Sequence, residues 1–231
     1  MGGTDLAGDF SAAGNREEML RRFGELPLIA VLRRMPAEKI DQVVEVLVAA
    51  GVGLAEVTWD GPEAVSLLRR AKGVSGQALT WGMGTVTSAG QVKEAWALGA
   101  RYVVTPILVE EVITAAKASG LACVMGAFSP TEIWSAHRLG ADLIKVFPAA
   151  SVGPKYFTEL RGPFPDIPLL AVGGVTADNA ADYLRAGATG VAAGGALVPR
   201  RLVEAGERGP LLESVSRFVK AVREGLPVGH R

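Results

Sequence analysis

A lysine in the middle of an apolar run, Leu143-Ile144-Lys145-Val146-Phe147-Pro148, has the clearest capacity for covalent chemistry in this 231-residue chain. An ammonium group is costly to bury unless it is paired or neutral. Desolvation lowers its pKa, and the free amine so produced can attack a carbonyl carbon. Read as a strand, the run puts Leu143, Lys145 and Phe147 on one face and Ile144 and Val146 on the other. Glu56 is the natural counterpart, set in Leu54-Ala55-Glu56-Val57-Thr58 with apolar neighbours on both sides. A carboxyl group in that setting has a raised pKa, which suits it to moving protons at carbon. A structural ion pair between the two, or a lysine whose head reaches solvent, accounts for the same pattern. Residue types alone leave these readings open.

Two diglycines add a third element. Gly173-Gly174 precedes Val175-Thr176, and Gly194-Gly195 closes another apolar run. Backbone N–H groups from two such loops, with a helix N-terminus, make a phosphate cradle; close loop packing is the plainer alternative. No cluster of His, Cys and carboxylates has metal-ligand spacing, so neither a metal nor another cofactor is expected. The one cysteine, Cys123, lies in Leu121-Ala122-Cys123-Val124 and reads as a buried structural thiol. A catalytic thiol would need a base, and only His137 and His230 are available.

Lys+Arg and Asp+Glu both number 24, giving a net charge of zero. That balance excludes the basic field nucleic acid or an anionic membrane requires. No apolar run has the length of a membrane span. Residues 1–14 lack the regions of a signal peptide and read as a flexible leader. A cytoplasmic setting is expected.

These residues must be positioned by elements, and the chain supplies them as a repeat of apolar run, loop and helical pattern. Strands are expected at 28–33, 53–58, 79–83, 101–105, 121–125, 142–147, 168–172 and 189–193. Their nearly continuous apolar character fits parallel strands buried on both faces. Helices are expected at 36–50, 62–72, 88–98, 109–119, 130–139, 153–160, 177–186 and 211–224, with a short one at 15–24. Gly51, Gly99, Gly120, Gly140 and Gly187 stand where a helix ends in a left-handed residue. Pro36 and Pro62 suit first turns, and Ser88, Ser129 and Thr176 suit N-caps. Eight such units over residues 15–231 predict one (β/α)8 TIM barrel with a short N-terminal helix. The rival open sheet would place a Gly-rich loop after the first strand, but Arg33-Arg34-Met35-Pro36 stands there. In such barrels the chemistry sits at the C-terminal ends of the strands. Arg33, Glu56, Thr58, Thr85, Thr105, Pro106, Lys145, Phe147 and both diglycines occupy those ends.

Several segments together resemble the family of 2-keto-3-deoxy-6-phosphogluconate and 4-hydroxy-2-oxoglutarate aldolases. They are Leu28-Ile29-Ala30-Val31-Leu32-Arg33, Ala55-Glu56-Val57-Thr58, Gly82-Met83-Gly84-Thr85-Val86 and Val104-Thr105-Pro106. Ser129-Pro130-Thr131-Glu132, Ile144-Lys145-Val146-Phe147-Pro148 with Val152-Gly153-Pro154, Gly162-Pro163-Phe164-Pro165 and Ala171-Val172-Gly173-Gly174-Val175-Thr176 follow in the family's order. The resemblance implies a metal-free class I aldolase in which Lys145 forms the pyruvate imine and Glu56 shuttles protons through a water. It implies Arg33 and Thr85 as substrate-binding, Pro106 and Phe147 as lining the pyruvate pocket, and Val172, Gly173, Gly174, Gly194 and Gly195 at the phosphate end. The substrate so implied is a 2-keto-3-deoxy-6-phospho sugar acid of the gluconate or galactonate type. It would be cleaved to pyruvate and glyceraldehyde 3-phosphate, with 4-hydroxy-2-oxoglutarate a further substrate. A homotrimer is also implied.

The chain departs from the common pattern at four places. Val172 replaces a threonine, as in the phosphogalactonate branch, and Gly195 replaces a serine of the phosphate loop. Asp60 stands where some members carry an arginine. Met83 and Met125 replace smaller residues and are expected to narrow the pocket. Two other readings compete: a phosphate-binding isomerase or synthase without imine chemistry, and a non-catalytic sugar-acid-binding barrel. Trp59, Trp96 and Trp134 look exposed and are candidates for an interface or a lid.

Overall fold

Each expected apolar run becomes a strand. In the computed structural model, which describes residues 12–61 and 63–227, the strands are β1 Leu28–Leu32, β2 Leu54–Thr58, β3 Thr80–Gly84 and β4 Tyr102–Val104. They continue with β5 Ala122–Ala127, β6 Leu143–Val146, β7 Leu169–Val172 and β8 Gly190–Ala193. All pair in parallel in sequence order, and β8 returns to β1 to close the barrel. Around it lie α1 Ala12–Glu25, α2 Ile40–Ala49, α3 Ala64–Ser75, α4 Ala89–Ala97, α5 Glu110–Ala118 and α6 Pro130–Leu139. α7 Gly153–Arg161, α8 Ala180–Arg185, α9 Arg200–Ala205 and α10 Arg208–Gly225 complete it. The single (β/α)8 barrel is the architecture the repeat predicts.

The punctuation reads as expected at most positions. Gly51, Gly99, Gly120, Gly140 and Gly187 all have positive φ. Ser88 accepts from the Gln91 amide at the start of α4, and Ser129 forms a full capping box with Glu132 at α6. Thr176 is a correction: α8 starts later, with Asn179 at its N-cap, and the Asn179 side chain accepts from the Thr176 amide instead. α9 is an addition. Pro199 opens it and a left-handed Gly206 ends it, but six residues are too short to show a helical period. α1 begins at Ala12, inside the expected leader; residues 1–11, Pro62 and His230 lie outside the described residues.

Strand alternation sorts the core into two layers. Ala55, Val57, Ile144 and Val146 join the layer between barrel and helices, whereas Leu54, Leu143, Leu170 and Ala192 fill the lumen. Burying each such side chain contributes roughly 1.5–3 kcal/mol. α1 closes the N-terminal end of the lumen with Met19 and Phe23. Gly190 leaves the necessary space, since a Cβ there would lie 2.4 Å from Phe23 Cζ. Arg101 holds α1 by its contacts with Asn15 and Glu18. With that end plugged by described residues, the cavity over the lumen opens at the C-terminal ends of the strands.

Candidate active site

Lys145 and Glu56 face the lumen from β6 and β2. Tracing the strand registers round the tilted barrel puts Glu56, Val104, Lys145 and Ala192 in one layer of inward side chains. Leu54, Tyr102, Leu143 and Gly190 form the next layer toward the plugged end. Lys145 is 6% exposed and Glu56 2%. Burial raises the Glu56 carboxyl to about 7, against the opposing charges of Lys145 and Arg33. Burial likewise lowers the Lys145 amine, with Glu56 opposing and Arg33 adding to the shift. Both groups are therefore displaced toward their neutral forms.

The two groups feel each other's field without touching. Among the described residues no ion pair or hydrogen bond involves either side chain. Two buried ions serving only as a structural pair would be in contact, because their attraction must offset two desolvation costs. Here the amine lies 4.9 Å from the centroid of the Phe147 ring, so Phe147 covers it with an aromatic face. Gly84 makes room for Glu56: a Cβ there would come within 2.6 Å of Glu56 Oε1.

A cavity of about 310 Å3 opens over Lys145. Its walls include Arg33, Phe147, Val172, Gly173, Gly174, Thr176, Gly194 and Gly195, eight residues contributed by the ends of β1, β6, β7 and β8. The expected amine, aromatic wall and diglycine loops are thus brought together. Gly173 and Gly174 both have positive φ, and a Cβ on Gly174 would lie 2.3 Å from Ala150 Cβ. Nothing lies within 4 Å of the Cβ position of Gly195, so this loop has spare room. Thr85 and Pro106 sit at the same end, just past β3 and β4, but do not line this cavity. Thr85 adopts φ 61, an unusual conformation for a β-branched residue and a sign of local strain. The Pro106 carbonyl packs directly over Gly126.

Arg33 is already engaged. Its Nη1 donates to Asp60 Oδ2 at 3.1 Å, and Arg34 Nε lies 3.8 Å from the same oxygen. Thr58 Oγ1 donates to the other oxygen of Asp60 at 3.0 Å. A larger cavity of about 510 Å3 lies beside the end of β2, lined in part by Asp60, Arg34 and Arg200. It contains neither Lys145 nor a diglycine, so size does not locate the chemistry.

Two expectations change. Met83 and Met125 do not narrow the pocket: both point outward into the layer beneath the helices, and Met125 Sδ accepts from Thr105 Oγ1. The alternation that puts Gly82, Gly84, Val124 and Gly126 in the lumen requires it. Trp59 is half-buried against the core, whereas Trp96 and Trp134 are 45% and 47% exposed. Trp134 stacks on Phe164 with ring centroids 5.9 Å apart. Cys123 is buried with its thiol pushed up to about 12, which keeps it protonated. Among the described residues no three of His, Cys, Asp and Glu gather as a possible metal site, and no helix is long and apolar enough to cross a membrane. Tyr102 is a further lumen residue with no motif to mark it; its even spacing from Val104 puts it on the inward face of β4.

The family model described as KDPG and KHG aldolase matches residues 19–211. A 2-dehydro-3-deoxy-6-phosphogalactonate aldolase of Escherichia coli is 32% identical over 87% of this chain and 97% of that protein. A probable 2-dehydro-3-deoxy-6-phosphogalactonate aldolase of Rhizobium meliloti is 35% identical over 71% of this chain and 77% of that protein. Among solved structures, the KDPG aldolase of Legionella pneumophila, with pyruvate captured as a covalent carbinolamine, superposes with a TM-score of 0.79 at 26% identity. That likeness covers 85% of this chain and 96% of that one.

Proposed function

The chain belongs to the KDPG and KHG aldolase family, and from that premise we propose that Lys145 is its Schiff-base nucleophile and Glu56 its proton-transfer group. The Lys145 amine adds to the C2 carbonyl of a 2-keto acid to give a carbinolamine, and loss of water leaves an iminium ion. Glu56, through a water, takes the proton of the C4 hydroxyl while the C3–C4 bonding electrons move into the iminium. An aldehyde departs and an enamine remains. Glu56 returns the proton to C3, and water releases pyruvate and the free amine. The observation that carries this reading is a buried amine and a buried carboxyl that share a lumen without contact, with a cavity opening over the amine.

Phe147 shields the amine, Thr85 and Pro106 frame the pyruvate end, and Arg33 with Val172 and the loops Gly173-Gly174 and Gly194-Gly195 receives the distal phosphate. The substrate is a 2-keto-3-deoxy-6-phospho sugar acid. Val172 offers a methyl face where a threonine would offer a hydroxyl, which favours the galactonate type, in line with the names of two relatives. The enzyme works as a cytosolic homotrimer, with the exposed Trp134, stacked on the half-buried Phe164, as one candidate contact.

Treating the protein with pyruvate and borohydride should add the mass of one reduced pyruvate adduct, and Lys145→Met should add none. An unlabelled wild-type protein would sink the proposal in favour of an isomerase or a simple binding barrel. Comparing kcat/KM for the gluconate and galactonate phosphates tests the substrate assignment.

A further inference from the structure

We propose that the Tyr102 hydroxyl and the Glu56 carboxylate hold one buried water between them, making Tyr102 a positioning residue that aims the carboxylate. This rests on Glu56 being the proton-transfer group. Tyr102 is fully buried, and its hydroxyl has no hydrogen-bond partner among the described residues. A buried phenol normally finds one.

Two glycines of β3 bring the groups side by side. The phenol ring lies on Gly82, where a Cβ would be 2.5 Å from Tyr102 Cζ, the carbon that bears the hydroxyl. The Glu56 carboxyl lies on Gly84, where a Cβ would be 2.6 Å from Oε1. Gly82 and Gly84 are successive inward positions on one strand, about 6.6 Å apart. The neighbouring sites put the phenol and the carboxyl side by side, yet the hydroxyl bonds no described residue, Glu56 included, so the link between them runs through a water. The missing Cβ atoms provide the space.

Few other groups compete for the site. The charged or titratable groups facing Glu56 are Lys145 from β6, Arg33 from beyond β1, and Tyr102 from β4. β3 presents only glycines there and the inward residues of β5, β7 and β8 are apolar; α1 adds the Glu18 carboxylate farther down at the plugged end, where it accepts from Thr80 and pairs with Arg101. Burial, and then the charge of Glu56, raises the Tyr102 phenol well above its usual value. It therefore stays a donor throughout the range in which Glu56 titrates. A donor relayed to a carboxylate favours the ionised form.

The test is the exchange of pyruvate methyl hydrogens into deuterated water, measured against pH for wild type, Tyr102→Phe and Glu56→Gln. In wild type the rate should rise as Glu56 ionises. In Tyr102→Phe that limb should move upward by roughly one pH unit, while borohydride still traps pyruvate on Lys145. Glu56→Gln should exchange at least about 100-fold more slowly. A slow Glu56→Gln with a Tyr102→Phe limb at the wild-type position overturns the bridge and leaves the function intact. Normal exchange by Glu56→Gln overturns both. As a check independent of any variant, a high-resolution crystal structure should show a water bonded to both oxygens; a hydroxyl bonded elsewhere overturns the proposal.

Discussion

At Glu56, burial and the positive charges of Lys145 and Arg33 act in opposite directions, and burial wins. The carboxyl moves from 4.5 to about 7, so in that interval the folded chain holds a proton the unfolded chain has released. Its contribution to stability is full below pH 4.5, falls as pH rises through 7, and is flat beyond. Glu56→Gln removes this loss and should gain stability relative to wild type between pH 4.5 and 8, by on the order of 3 kcal/mol. Urea unfolding at the two pH values measures it, and an equal difference at both would refute it. The same ionisation predicts that wild-type cleavage of the sugar acid rises through about pH 7, where the carboxylate becomes available as base. At the other end of the cavity, Gly195 lacks a hydroxyl and has open space where one would fit. Gly195→Ser should lower KM for a phosphorylated substrate about five-fold, with no gain for the unphosphorylated acid. Lys145 and Glu56 were legible as anomalies, since each is a charge inside an apolar strand. Asp60 was legible only as a departure; its grip on Arg33 depends on how the loops after β1 and β2 fold toward each other.

Strands do the positioning here, and their glycines set where side chains can lie. Gly126 has no room for even a methyl group: a Cβ would stand 2.2 Å from the Pro106 carbonyl carbon. Backbone cannot swing aside as a side-chain tip can. Gly126→Ala should therefore cost about 3 kcal/mol or more and displace Pro106; if Pro106 frames the pyruvate site as proposed, this is read as a lowered Tm together with a raised KM for pyruvate exchange. Period-two alternation and helix-ending glycines made nearly every element readable in advance. The exceptions were local. Thr176 and Asn179 both suit an N-cap, and the choice between them depends on where the loop after β7 lets the chain turn. Met83 and Met125 were assigned to the pocket by resemblance, although their own strand parity already pointed them outward.

The closed ring and its plug act on the whole molecule. α1 shuts the N-terminal end of the lumen through Met19 and Phe23, beneath the layer that holds Tyr102. Phe23→Ala should cost about 3–5 kcal/mol in chemical denaturation, because Gly190 opposite it cannot fill the space. The Lys145 adduct should still form at saturating pyruvate, since the layer above is supported by its own strands. The sequence by itself determined the barrel, the inward direction of Lys145 and the family, because side-chain parity, helix punctuation and motif order are local and survive being read one residue at a time. Only the tertiary structure decided that Lys145 and Glu56 share a lumen without touching, that Asp60 occupies Arg33, and that Tyr102 lies beside Glu56 on paired glycines. Those relations join residues on different strands, and their distances follow from how a tilted barrel staggers its strands and where each missing Cβ lets a neighbour settle.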